Sequence, residues 1–220
     1  MNFLKSAVIA LSVAAGFSVA SAQLAPPKVF VLVGPPGSGK TTQAKYLAKK
    51  YGLLSVSMAD ILKEKMAGQK DVVAQSLSAD IASGELLPDD AANEMMRNYL
   101  AHVNIKKGLI LDGYPASASQ AKALDGILEE EKLGKPVVVV LDAPDAVIRQ
   151  RMTARKRVDD KPANIDRRIK EFRAQTTLLA EWWGQANSVK VNAEGTPAQV
   201  SADIISGVEE AMTKVSFKRR

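Results

Sequence analysis

Short runs of consecutive apolar residues, separated by longer segments with helical spacing, form the main pattern of this sequence. The runs predict five β-strands, at residues 29–33, 53–57, 108–112, 137–142 and 189–192. Five consecutive apolar positions from Val137 to Leu141 favour an interior parallel strand covered on both faces over an edge strand with alternating polarity. The last run is expected to be a more exposed strand.

Segments with helical spacing fill the intervals between these strands. They are predicted at 43–50, 120–133 and 197–213, after Asp142, after Pro162, and from 58 to about 100 with turn signals at Gly68 and Ser83-Gly84. Strands that alternate with helices predict an α/β fold with a doubly wound, five-stranded parallel sheet and right-handed crossovers. A chain of 220 residues, 46% of them hydrophobic, is long enough for one such core.

Three notable residues stand where predicted strands end. Ligands of such sheets bind at the carboxyl ends of the strands, and Gly34, Asp112 and Asp142 occupy those positions. Asp112 closes a hydrophobic strand and is therefore placed to hold Mg²⁺ directly or through water. Asp142 is followed by Pro144 and a helix, which predicts that it is an N-cap.

A glycine-rich segment lies between the first predicted strand and the helix that follows it. It fits the pattern GxxxxGK[ST] of a phosphate-binding loop and comprises Gly34, Pro35, Pro36, Gly37, Ser38, Gly39, Lys40, Thr41 and Thr42. Its glycines allow successive N–H groups and the positive end of the helix to face a polyphosphate. Lys40 adds a charge near the β- and γ-phosphates, and the Thr41 hydroxyl is placed to ligate Mg²⁺. The alternative is a turn that binds nothing, but the strand and helix on either side favour phosphate binding.

Two predicted helices with a short connection carry a group of arginines: Arg151, Arg155, Arg157 and Arg168. Arg151 and Arg155 are spaced i, i+4 and so share one helix face. Guanidinium groups stabilise the charge of a phosphoryl group in transfer, so these side chains are the expected complement of the loop. Asp159 and Asp160 can orient them when no anion is bound. The alternative is a solvated helical hairpin held by salt bridges.

The first 22 residues have the pattern of a secretory signal peptide. Lys5 provides a positive charge, residues 6–19 are almost wholly apolar, and Ala20-Ser21-Ala22 predicts cleavage after Ala22. The apolar run is too short to span a membrane as an anchor. After cleavage the mature chain would comprise residues 23–220, which form the predicted domain. Export to the periplasm or beyond is expected, and the alternative is an uncleaved arm on a cytoplasmic protein.

Composition removes some other classes of site. The chain has no cysteine and one histidine, which excludes disulfides and effectively excludes structural zinc. A net charge of +6 suits a protein that handles polyanions. Because the basic residues are spread along the sequence, nucleotide phosphate accounts for them as well as nucleic acid does, and no nucleic-acid partner is predicted.

From about residue 29 to 207 these motifs resemble the adenylate kinases and related nucleoside monophosphate kinases. The resemblance rests on residues 34–44, 84–89, 111–115 with Gln120, 142–145 with Arg151 and Arg155, and 157–160 with Arg168. It implies a P-loop NTPase-type fold with a helical acceptor-binding segment at about 57–87. It also implies a short lid at about 155–162, a Mg²⁺ cofactor, and ATP and a nucleoside monophosphate as substrates. A monomer is expected.

The resemblance also implies roles for individual residues. ATP would be bound by the loop from Gly34 to Thr42 and by Arg151, and the metal by Thr41 and Asp112. Lys40 would act in catalysis with the arginines, which are Arg151, Arg155, Arg157 and Arg168. The acceptor would be bound by Ser57, Asp60, Lys63, Leu87, Gly113 and Gln120, the last of which would read the base.

Two departures from the family pattern concern the acceptor. The chain has Met58-Ala59-Asp60 and then Lys63 where relatives have Thr-Gly-Asp and then an arginine, and Ala116 where they have a second arginine. Lys63 can act only as a point charge, because it lacks the two parallel N–H donors of a guanidinium, and Ala116 supplies no charge. The default reaction is ATP plus AMP to two ADP. The alternatives are a kinase for another small acceptor and an exported nucleotide-binding protein with little transfer activity.

Overall fold

A computed structural model describes residues 28–68, 87–155, 160–184 and 187–217. Within these ranges the elements are, in chain order, β1 (Val29–Val33), α1 (Lys40–Tyr51), β2 (Leu54–Ser57), α2 (Met58–Gly68), α3 (Asp89–Ala101), β3 (Leu109–Asp112), α4 (Ala118–Glu130), β4 (Val137–Asp142), α5 (Asp145–Arg155), α6 (Pro162–Trp182), β5 (Ser188–Asn192) and α7 (Pro197–Phe217). None of the helices in the described part of the chain is long and apolar enough to cross a membrane.

The five strands form one parallel sheet in the order β2-β3-β1-β4-β5. This confirms the predicted α/β class and the doubly wound, five-stranded sheet. β1 lies at the centre, and Leu32 pairs with Asp112 of β3 on one side and with Val139 of β4 on the other. The carboxyl ends of these three strands are therefore adjacent, and the loop after β1 opens beside Asp112.

The consecutive apolar residues of the central strands supply two cores, one on each face of the sheet. In β1, Val29, Val31 and Val33 enter one buried cluster, whereas Phe30 and Leu32 enter the other. Because successive side chains of a strand point to opposite faces, an unbroken apolar run is what a strand covered by helices on both sides requires. The rigid sheet fixes the positions of the loops at its carboxyl edge.

Local backbone chemistry explains why two helices begin earlier than predicted. α1 starts at Lys40, directly after Gly39. The positive φ of Gly39, 97°, turns the backbone from the loop into the helix within a single residue. α4 starts at Ala118 because the Ser117 side chain accepts a hydrogen bond from the Gln120 N–H at 3.1 Å. β5 is buried at alternate positions only, as expected of the exposed last strand.

The prediction that Asp142 is an N-cap is wrong. α5 begins at Asp145, and its first-turn hydrogen bond runs from the Ile148 N–H to the Pro144 carbonyl at 3.1 Å. The Asp142 carboxylate instead accepts a hydrogen bond from Arg173 Nη1 at 2.8 Å. A distant guanidinium, which a local pattern does not reveal, provides the stronger partner.

Several predictions fall outside the described residues. They are the signal peptide at 1–22, residues 69–86 of the acceptor-binding segment with the turn at Ser83-Gly84, and the part of the lid that carries Arg157 and Asp159.

Candidate active site

The loop between β1 and α1 has the backbone of an anion cradle. Gly34 has φ +143°, and a Cβ atom there would lie 2.3 Å from the Leu141 carbonyl oxygen, so only glycine fits between the two strands. Gly39 is the N-cap residue of α1 and provides no side chain to cap the first turn. The N–H groups at this helix end consequently face the cavity without a side-chain acceptor, as anion binding requires.

Lys40 is held at the mouth of this cradle. Its Nζ donates hydrogen bonds to the carbonyl oxygens of Gly34 at 2.7 Å and Pro35 at 3.0 Å. It also lies 5.6 Å from the centre of the Phe172 ring, within range of a cation–π contact. These contacts fix the ammonium group beside the loop, where a bound polyphosphate would meet it.

Thr41 and Asp112 form the oxygen pair that the sequence predicted as the metal site. The Thr41 hydroxyl donates to Asp112 Oδ2 at 2.5 Å, and Asp112 is buried at the end of β3. Among the described residues no three His, Cys, Asp or Glu side chains gather into a closed metal site. The pair suits Mg²⁺, because this ion commonly takes one or two protein oxygens and completes its shell with water and phosphate.

A buried carboxylate joins two of the predicted arginines. Asp160 accepts hydrogen bonds from Arg155 Nε, from Arg155 Nη2 at 2.8 Å and from Arg168 Nη1 at 3.2 Å, and its side chain is fully buried. A buried carboxylate is stable only with such charged, hydrogen-bonded partners. Asp160 therefore orients both guanidinium groups in the absence of nucleotide. Arg157 and Asp159 lie outside the described residues.

Arg151 connects α5 to the segment that follows β5. Its Nη1 donates to the Ala193 carbonyl at 2.8 Å and its Nη2 to the Glu194 carbonyl at 3.2 Å. One turn further along α5, Arg155 reaches Asp160 instead. The two side chains therefore share a helix face, as their spacing predicted, but are held by different parts of the protein.

These groups surround one cavity of about 610 Å³. The predicted site residues that line it are Pro36, Gly37, Ser38, Gly39, Lys40, Thr41, Thr42, Ser57, Leu87, Asp112, Gly113, Gln120, Arg151, Arg155 and Arg168. Gly34 and Pro35 lie beneath it and bind Lys40 through their carbonyl oxygens. A cavity of this size accommodates a nucleotide-sized ligand, and its phosphate loop and arginines face the same space.

Two predicted acceptor-binding residues do not line the cavity. Asp60 and Lys63 pair with each other at 3.4 Å, with side chains 70% and 74% exposed. Helical spacing explains this placement, since Met58 and Leu62 of α2 face the cavity and Asp60 and Lys63 lie away from it.

The wall opposite the phosphate loop is mostly apolar. It is formed by Ser57, Met58, Ala59, Leu62, Leu87, Ala92, Gly113, Ala116 and Gln120, and none of these described residues is charged. Gln120 is buried. It accepts a hydrogen bond from the Ala116 N–H at 2.7 Å and donates one to Asp89 Oδ1 at 2.8 Å. Its amide is held in one orientation, which suits it to read the polar edge of a base.

Sequence reasoning missed the residue that ties α6 to this site. Arg173 donates to Asp142 Oδ1 at 2.8 Å, to Asp145 Oδ1 at 2.9 and 2.5 Å, and to the Ala143 carbonyl at 2.8 Å. Burial favours protonated Asp142, but the bond to Arg173 outweighs it and lowers the pKa of that carboxyl. α6, which carries Arg168, is thereby fixed to the end of β4. No spacing signal in the sequence marks this contact.

Comparison with known proteins agrees with this geometry. A sequence model of the family described as adenylate kinase matches residues 32–188. The adenylate kinase of Sinorhizobium medicae is 35% identical over 170 residues, which cover 73% of this chain and 88% of that protein. The adenylate kinase of Stenotrophomonas maltophilia is 33% identical over 186 residues, which cover 81% of this chain and 98% of that protein.

The matched region contains the loop, the strand ends and the described arginines that surround the cavity. The family model covers well over half of the chain, and the bacterial relatives are matched over most of their own length. The chain therefore belongs to the adenylate kinase family of nucleoside monophosphate kinases.

Proposed function

We propose that the protein transfers the γ-phosphoryl group of Mg·ATP to a nucleoside monophosphate, by default AMP, with two ADP as products. The observation that carries the proposal is the single cavity shared by the phosphate-binding loop and three arginines. The names of the relatives from Sinorhizobium medicae and Stenotrophomonas maltophilia, both adenylate kinases, support the same substrates.

The chemistry needs position and charge more than a reactive side chain. The loop N–H groups and Lys40 hold the donor phosphates, while Arg155 and Arg168 face the space in which the γ-phosphoryl group would move. A bound Mg²⁺, held through Thr41 and Asp112, would neutralise charge on the donor phosphates. The acceptor monophosphate is already an oxyanion, so the protein does not have to remove a proton from it.

Asp160 acts as the partner that the arginines leave when nucleotide binds. In the structure it occupies Nε and Nη2 of Arg155 and Nη1 of Arg168. A triphosphate offers more charge and more acceptor oxygens than one carboxylate. Binding of ATP therefore draws N–H groups of both guanidiniums away from Asp160 and toward the phosphates.

An acceptor other than AMP is the second candidate. Met58 and Ala116 leave the described acceptor wall without a cation, so the acceptor is recognised mainly through its base and sugar. Loss of one charged hydrogen bond to a phosphate costs about 1.5–3 kcal/mol, or roughly one to two decades in affinity. A monophosphate with a better fit to this apolar wall would then be preferred over AMP.

The test is an assay of the purified chain with Mg·ATP and a panel of nucleoside monophosphates, resolved by chromatography. Formation of ADP from AMP supports the default, and selective use of another monophosphate supports the second candidate. Binding of ATP without phosphorylation of any monophosphate in the panel would overturn the proposal.

We also propose that the protein is exported and works as a monomer. The pattern of residues 1–22 supports export, because a positive start, an apolar run and a small-residue cleavage site occur together. Amino-terminal sequencing of the native protein should find Gln23 as the first residue, and an intact Met1 would contradict export by this route. Sedimentation of the purified protein should give the mass of one chain.

A further inference from the structure

Lysines gather at the end of the sheet that lies opposite the cavity. Parallel strands begin at one edge, so the residues before β1 and β3 lie together with the end of α1, which leads into β2. Five lysines occupy these positions: Lys28, Lys49, Lys50, Lys106 and Lys107. We call them the basal lysine surface.

The backbone register holds this surface together. The Leu109 N–H donates to the Lys28 carbonyl at 2.8 Å, so Lys107 and Lys28 lie on adjacent strand starts. Neighbouring strands are about 4.8 Å apart, which puts the starts of β2, β3 and β1 within roughly 10 Å. All five side chains are exposed, and none forms an ion pair with another residue of the described ranges.

Acidic groups at this end of the sheet belong to the neighbouring helices. The connections at 49–53 and 102–108, which carry four of the five lysines, contain no Asp or Glu. The acidic residues at the ends of neighbouring elements are Glu129, Glu130 and Glu131 of α4, Glu181 of α6, and Glu209 and Glu210 of α7. Arg97 pairs with Glu130 at 3.7 Å, and Lys132 and Lys135 follow the three glutamates of α4. Burial, and in addition the charge of Glu209, raises the pKa of Tyr51, the residue after Lys50, so α7 places a carboxylate near that side of the surface. The segments that carry Lys28, Lys106 and Lys107 contain no acidic residue.

An exposed tryptophan lies at this end of the sheet, in the last turn of α6, which packs on the face opposite α1. α6 ends shortly before β5 begins, so its last residue, Trp182, lies at the same end of the sheet and is 41% exposed. Its Nε1 donates to Asp125 Oδ2 at 2.9 Å, which leaves an apolar ring surface facing outward. One turn earlier, Leu178 is 55% exposed. Lysines and an exposed indole at one end of a fold are a combination found where proteins meet the lipid–water interface.

The chain also enters the fold at this surface. Lys28 is the first described residue, and in the sequence it follows the apolar run of residues 6–19. The cavity, at the opposite edge of the sheet, remains open to nucleotides.

We propose that the basal lysine surface binds the surface of an anionic phospholipid bilayer, with Trp182 at the interface. The attraction is electrostatic and reversible, and it extends over a Debye length of about 8–10 Å at physiological salt. It is distinct from a membrane anchor. It is independent of which monophosphate the cavity accepts.

The test is sedimentation of the full chain with vesicles of phosphatidylcholine, with or without about 30% phosphatidylglycerol. Binding is expected to the anionic vesicles alone and to fall as salt is raised. The triple variant Lys28→Gln, Lys106→Gln, Lys107→Gln should bind about 100-fold more weakly. The matched control replaces Lys122, Lys161 and Lys170 with Gln; these lysines are equally exposed but lie elsewhere, and the control should bind like the unmodified chain.

Fluorescence provides a second measurement. The chain has two tryptophans, and Trp183 is buried, so Trp182 alone can report on the interface. Anionic vesicles should shift its emission to the blue, and Trp182→Phe should remove that shift. Equal binding to neutral vesicles by all variants would assign the contact to residues 1–22 and overturn the proposal. Equal losses in both triple variants, or binding to duplex DNA but not to vesicles, would also overturn it.

Discussion

The two halves of the cavity differ in charge. Around the phosphate-binding loop, Lys40, Arg155 and Arg168 supply cations that the protein already holds in place through carbonyl groups and Asp160. The described wall opposite is apolar or neutral, from Met58 to Gln120. The fixed positive charge of the cavity is therefore concentrated around the phosphate-binding loop. The described residues of that wall offer an apolar surface and one oriented amide, that of Gln120.

The largest expected effect is on the donor half. Lys40→Ala removes the charge that the loop carbonyls position beside the phosphates, so transfer should fall by about 10³-fold or more. Steady-state kinetics with ATP and AMP would measure it. Lys45→Ala is the matched control, because Lys45 is exposed on the same helix and its loss should leave the rate unchanged. Full activity of the Lys40 variant would contradict the assigned role.

Arg155 tests whether the guanidinium groups act on the moving phosphoryl group. Arg155→Ala should lower kcat by about 10²–10³-fold, with a smaller change in the KM for ATP, because the charge is needed most in the transition state. Arg149→Ala is the control, since Arg149 lies on the same helix, half exposed and paired with Asp166 at 2.6 Å. Equal losses in the two variants would mean that the effect comes from α5 as a whole.

Ala116 tests the acceptor half. Ala116→Arg places a guanidinium in the neutral wall and should raise kcat/KM for AMP by about 10- to 100-fold, the value of one charged hydrogen bond. Ala118→Arg, exposed at the start of α4, should leave it unchanged. Absence of any gain at position 116 would show that the acceptor site recognises a different molecule.

The smallest effect concerns stability and pH. Arg173 lowers the pKa of Asp142 although burial acts in the opposite direction. A carboxylate with a lowered folded pKa stabilises the fold above its unfolded pKa of about 4 and loses that effect as pH falls through the folded value.

Arg173→Gln should therefore lower the Tm by about 2–4 °C at pH 7 and by less at pH 3. The effect is small because Asp142 is about a third exposed and solvent screens the pair. Thermal unfolding followed by circular dichroism would measure it. The same loss at both pH values would indicate that the hydrogen bond from Arg173 to the Ala143 carbonyl, and not the pair with Asp142, stabilises the contact between α6 and the end of β4.

The fold and the donor site could be predicted from sequence because their signals are local. Apolar runs predict buried strands, and the loop from Gly34 to Thr42 carries its own spacing. The parallel arrangement then follows from the alternation of strands and helices. The five strands agree with the structure to within one residue at each end, and the loop residues from Pro36 to Thr42 line the cavity.

Contacts that depend on topology could not be predicted in this way. Asp142 looked like an N-cap because its sequence neighbours suit one, yet its partner, Arg173, is 31 residues away. Asp60 and Lys63 match the family pattern by position, but the rotation of α2 turns them to the surface. The basal lysines are scattered in sequence, and only the parallel sheet brings them to one end.

The most direct test of the account follows the phosphoryl group itself. The purified chain would be incubated with Mg²⁺, AMP and ATP labelled in the γ-phosphoryl group, and the products separated. The label should appear in the β-phosphoryl group of the ADP formed from AMP, and Lys40→Ala should abolish this transfer. Label found only in inorganic phosphate, or left entirely in ATP, would contradict it.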